Sequence, residues 1–102
     1  MISKPQPEMT SERFRALMQL IQTLRGPDGC PWDKKQTPQS IVLYLIEEIY
    51  ELVEAIESGN SDNIREELGD VLFQVFFIAE LFREKGRFDI GEVALRTTEK
   101  MI

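Results

Sequence analysis

The stretch LIEEIYELVEAIESGNSDNIREELGDVLF, residues 45–73, decides the fold. It holds two helical patterns on either side of the turn Gly59-Asn60-Ser61. Before the turn, Leu45, Ile49, Leu52, Val53 and Ile56 recur at three- and four-residue spacing, the apolar stripe of an amphipathic helix. Upstream, Thr37 stands where an N-cap belongs and Pro38 at the first helical position. Gly59 sits where a left-handed C-terminal residue belongs. A helix of roughly twenty residues is about 30 Å long. The turn is short, so the next helix packs antiparallel to this one. One of Ser61, Asp62 and Asn63 caps that next helix, and Asn63 with Glu66 would form a capping box. It runs to about Lys85 and is ended by Gly86. Its middle, Val71 to Ala79, is apolar almost all round, which predicts burial on several sides.

Outward from this hairpin the chain reads as further helices with short punctuation. A first helix begins near Thr10 or Ser11, carries Phe14, Leu17, Met18, Ile21 and Leu24 as its stripe, and stops before Gly26-Pro27. Residues 26–37 are a loop, rich in helix breakers and containing Trp32. A last helix starts at Asp89 as N-cap and carries Ile90, Val93, Ala94 and Leu95. The expectation is an all-α, antiparallel helical bundle of four main helices, one domain over residues 1–102 with 1–9 flexible. Four helices of this length do not surround the third, and a large bare apolar patch is a liability. The bundle is therefore expected to be completed by dimerisation.

Composition narrows the function. Eighteen acidic residues against twelve basic ones give a net charge of −6, which argues against nucleic-acid binding and suits cation capture. No apolar run is long enough for a membrane span, and the first nine residues lack the apolar region of a signal peptide. A cytoplasmic protein is expected. Cys30 is the only cysteine, so no intrachain disulfide is possible. There is no histidine, which removes Ser-His and Cys-His nucleophiles, histidine-based zinc sites and the Glu-x-x-His di-iron bundle.

Carboxylates are then the obvious chemical resource. Glu48 and Glu51 lie one helical turn apart, and so do Glu67 and Asp70 on the adjoining helix. If the two pairs face each other, four like charges converge and call for neutralisation by protons or cations. Hard oxygen ligands without His or Cys favour Mg²⁺ or Mn²⁺, and Mg²⁺ commonly bridges to phosphates. Glu54 and Glu57 read as solvated surface. Gly69, inside the second of these helices, costs about 1 kcal/mol against alanine and suggests a close helix approach or room for a ligand.

The loop LRGPDGCPWDKKQT (residues 24–37), the segment IEEIYE (46–51) with its EExxE pattern, and EELGDVLFQV (66–75) with its ExxD pattern together resemble the MazG-type nucleoside triphosphate pyrophosphohydrolases. Gly86-Arg87-Phe88-Asp89 and Glu99-Lys100-Met101 also fit, so the resemblance spans roughly residues 17–102. Related pyrophosphatases acting on phosphoribosyl-ATP or dCTP match the GCPWD loop less well. The resemblance implies a dimeric (or tetrameric) all-α enzyme that cleaves NTPs or dNTPs between the α- and β-phosphates with Mg²⁺, or a helical dimerisation or nucleotide-sensing module on the same fold. It implies Glu48, Glu51, Glu67 and Asp70 as metal ligands and Glu47 as an additional ligand or as orienting a metal-bound water. It implies Lys100 as a phosphate contact. Trp32 either stacks on the base and lines the pocket or anchors its loop to the core. In close relatives basic residues continue after the Lys-Met pair, and many carry two such domains per chain. Here the sequence stops at Ile102 and holds one.

Overall fold

Helix boundaries follow from capping chemistry. In the computed structural model, which describes residues 7–102, Thr37 accepts a hydrogen bond from the Ser40 amide and Ser40 Oγ accepts one from the Thr37 amide. This reciprocal box and Pro38 start α3, Pro38–Ser58. Gly59 closes it at φ 72°, a left-handed conformation costly for any residue with a Cβ. The next cap is Asn60, whose side chain accepts from the Asn63 amide and opens α4, Ser61–Glu84. The expected cap at Ser61, Asp62 or Asn63 is thus displaced by one residue: Asn60 is the position whose carbonyl reaches the third amide. Gly86, at φ 71°, follows the end of α4, and the Arg87 amide bonds back to the Phe82 carbonyl. Asp89 caps α5, Ile90–Met101, by accepting from the Glu92 amide.

The chain divides into two compact units, Met1–Lys34 and Lys35–Ile102. The first contains α1, Pro7–Arg25, and a single turn of helix, α2, Pro31–Lys34. α1 begins earlier than Thr10 or Ser11, because Pro7 already sits at a first-turn position where its missing N–H costs nothing. Of residues 1–9, expected to be flexible, 7–9 are helical and 1–6 lie outside the described residues. The loop after α1 is folded, not open. The Cys30 amide donates to the Leu24 carbonyl. Gly29 passes so close to the carbonyl of Leu24 that a Cβ there would collide with backbone. Arg25 Nη1 donates to the carbonyls of Asp33 at 2.7 Å and Lys34 at 3.0 Å, while Lys34 Nζ donates to the Pro27 carbonyl at 2.8 Å.

The second unit is the α3–α4 hairpin with α5 packed on α4. Two residues join α3 to α4, so the helices run antiparallel. The covered row of α3 is Ile41, Leu45, Glu48, Leu52 and Ala55, alternating steps of four and three. On α4 the matching row is Ile64, Glu67, Val71, Gln74, Ile78 and Leu81. The predicted stripe of α3 mixed two faces: Leu45 and Leu52 point inward, but Ile49, Val53 and Ile56 are 44–57% exposed. Phe77 is fully buried, and Phe82 stacks on Phe88 at 5.1 Å between ring centroids where α4 turns toward α5. The middle of α4 is buried unevenly, since Val75 stays exposed. All described elements are helices, as expected for an all-α bundle.

Candidate metal centre

Glu51 and Glu67 are equidistant in sequence from Gly59, and so are Glu48 and Asp70. An antiparallel hairpin folded at that glycine therefore sets Glu51 beside Glu67 and Glu48 beside Asp70. The four side chains do converge: each offers one carboxylate oxygen, and these oxygens all lie within 4.8 Å of one another. Glu48 and Glu67 are half-buried inner-row residues, whereas Glu51 and Asp70 are on the exposed flank.

The electrostatics record the crowding. The Glu48 carboxyl is pushed from 4.5 up to about 7, first by burial, then by the adjoining Glu51, with which it can share a proton, then by the charges of Asp70 and Glu67. The Glu67 carboxyl is also raised, by burial first and then by Glu51, Asp70 and Glu66. Glu48 Oε2 and Glu67 Oε2 are buried without a hydrogen-bond partner. Buried carboxylate oxygens normally find donors, and these two have only other acceptors as neighbours in the cluster. A divalent cation fits such a donor set, which is four hard oxygens with no nitrogen or sulfur. The cluster could hold a metal.

The remaining predicted site residues lie elsewhere. Glu47 is exposed and does not belong to the group of four. Lys100 is exposed on α5 and lines an open groove of about 780 Å³ with Phe88, Glu92, Val93, Arg96, Thr97 and Glu99. None of the four clustered carboxylates lines that groove. Trp32 sits on α2 in the first unit, 45% exposed. Gly69 has no heavy atom within 4 Å of where its Cβ would stand, so among the described residues no neighbour requires a glycine there. The sequence reading passed over Gln74, whose Oε1 is the third buried oxygen without a partner. Only its burial singles it out, since in the sequence it is one polar residue within an otherwise apolar run.

Residues 36–102 match the family described as the MazG nucleotide pyrophosphohydrolase domain. The nucleoside triphosphate pyrophosphohydrolase/pyrophosphatase MazG of Thermotoga maritima is 52% identical over 89 residues, covering 87% of this chain and 35% of that protein. The nucleoside triphosphate pyrophosphohydrolase of Escherichia coli is 45% identical over 86 residues, covering 83% of this chain and 33% of its own length. The chain thus spans about a third of these relatives. A crystal structure of a MazG-related protein from Thermotoga maritima superposes with a TM-score of 0.72 at 27% identity, covering 85% of this chain and 75% of that one. With the family's match running through α3, α4 and α5, and the four carboxylates gathered within it, the chain belongs to the MazG nucleotide pyrophosphohydrolase domain family.

Proposed function

We propose that the chain is a Mg²⁺-dependent nucleoside triphosphate pyrophosphohydrolase, with Mn²⁺ as a substitute. It cleaves NTPs or dNTPs between the α- and β-phosphates to the monophosphate and pyrophosphate, a reaction suited to clearing unwanted nucleotides in the cytoplasm. The observation that carries the reading is the convergence of Glu48, Glu51, Glu67 and Asp70, with two buried oxygens lacking any donor. When bound there, a divalent cation supplies neutralisation of phosphate charge and a water of lowered pKa. Glu48, Glu51, Glu67 and Asp70 would hold that cation, all from one hairpin. Glu47, exposed on α3 and outside the group of four, would act as an additional ligand or orient a metal-bound water. Lys100 on α5 would contact phosphate, in a groove that it lines with Arg96 as well as with Glu92 and Glu99. Net charge −6 disfavours binding to a phosphate backbone.

A homodimer, or a tetramer built from two, belongs to the same reading. Its support is the row Val42, Ile46, Ile49, Val53 and Ile56, heptad-spaced on α3 and exposed throughout.

The test is pyrophosphate release from a panel of NTPs and dNTPs with Mg²⁺, run beside Glu48→Gln and Asp70→Asn. Both variants are expected to lose at least a hundredfold in kcat/KM while keeping their helical circular dichroism. A wild type that binds the cation but releases no pyrophosphate from any nucleotide would move the assignment to a nucleotide-sensing or dimerisation module.

A further inference from the structure

Among the described residues, three buried side-chain oxygens have no hydrogen-bond partner: Glu48 Oε2, Glu67 Oε2 and Gln74 Oε1. The first two belong to the carboxylate cluster, and the third is not accounted for by it. Gln74 lies on the same inner row of α4 as Glu67, one turn beyond Asp70. Helical side chains lean toward the N-terminus of their helix, so a carboxamide at this position leans back over Asp70. A buried carbonyl left without a donor burdens the fold, and leucine or methionine would fill the same place without that burden. Among the described residues no group donates to it, which leaves the place open to a donor from outside the chain.

The chemistry of the neighbouring cluster identifies that donor. Mg²⁺ dehydrates reluctantly and keeps several of its waters when carboxylates bind it. Those waters turn their oxygens to the ion and their protons outward, so the wall around such a site needs acceptors. Glutamine supplies one without adding a fifth negative charge to a place where four already repel one another. We propose that Gln74 is a positioning residue of the cation site, its Oε1 accepting a hydrogen bond from the hydration shell of the divalent ion held by Glu48, Glu51, Glu67 and Asp70. The inference rests on the cation reading above and extends it to a residue one turn along the seam.

The full chain is titrated with Mn²⁺, without nucleotide, by loss of the free-ion paramagnetic resonance signal. Thermal midpoints are recorded in parallel with EDTA present. Gln74→Met is expected to weaken Mn²⁺ about tenfold, the usual scale for losing an outer-shell partner. Its midpoint in EDTA stays equal to wild type or rises, because a buried unpartnered carbonyl has been removed. Gln74→Glu keeps an acceptor at the same reach and binds Mn²⁺ at least as tightly as wild type. Gln74→Leu repeats the test should methionine disturb the seam. An internal water unrelated to the ion would instead leave Mn²⁺ affinity within twofold of wild type in Gln74→Met, and that result overturns the inference. If wild type itself binds no Mn²⁺, the cation reading falls and takes this one with it. If Glu48→Gln loses Mn²⁺ while Gln74→Met and Gln74→Leu do not, only the role of Gln74 fails.

Discussion

Glu48 occupies a position that packing alone would give to an aliphatic residue, between Leu45 and Leu52 on the inner row of α3. Its cost is set by pH. The folded chain holds the Glu48 proton up to about pH 7, whereas an unfolded glutamate releases it near 4.5. Between those values the native state binds more protons than the unfolded one, so stability falls as pH rises. For one group the slope reaches at most about 1.4 kcal/mol per pH unit, and it flattens above the folded pKa. In EDTA, urea unfolding should therefore show stability dropping from pH 5 to pH 7.5. Glu48→Gln should remove most of that drop, being neutral throughout. A divalent cation reverses the sign of the problem: it binds the ionised cluster, so the rise in thermal midpoint on adding Mg²⁺ should be larger at pH 8 than at pH 5.5. A pH-independent wild type would mean that the four carboxylates do not interact as their spacing demands.

At the scale of elements, the loop between α1 and α3 holds itself together by backbone contacts that only certain residues permit. Gly29 passes against the Leu24 carbonyl, and a Cβ there must push backbone aside. Forcing such a shift commonly costs about 1–3 kcal/mol. Gly29→Ala should lower the thermal midpoint by that measure and speed hydrogen exchange at the Cys30 amide, which now donates to Leu24. Gly26→Ala is the control, since its nearest backbone neighbour stands at 3.3 Å and can yield by a few tenths of an ångström. The sequence announced this region as a loop from its Gly-Pro, Asp-Gly and Cys-Pro pairs, but not the turn α2, because four residues carry no period to read. Caps were easier: Thr37, Gly59 and Asp89 each serve as their chemistry predicts. The phase of α3 was the harder matter. Two apolar rows lie side by side on it, and the inner one is interrupted by Glu48, so hydropathy alone blended them. The cluster itself was legible because Gly59 fixes which acid meets which. Gln74 was not, since a single amide in an apolar run looks like noise until its burial is known.

On the whole molecule, the feature that stands out is the outer row of α3. Val42, Ile46, Ile49, Val53 and Ile56 repeat in alternating steps of four and three, the seam of a coiled coil, and every one is at least 41% exposed. A continuous apolar strip of that length in water favours association, and a second copy supplies a strip of the same register. Ile49, at the centre, is the residue to change. Ile49→Lys would set two cations against each other across a symmetric seam and should turn the proposed dimer into a monomer by light scattering. The hairpin's own inner rows are untouched by that change. All four carboxylates come from a single hairpin, so assembly is not needed to form the cation site. The monomeric variant should therefore keep Mn²⁺ affinity within about threefold of wild type, as expected for sites with no shared partners. Loss of cation binding on dissociation would instead show that the hairpin holds its acids together only when a second copy braces α3. A wild type already monomeric at tens of micromolar would leave the exposed seam without a second copy, and the dimer would be ruled out.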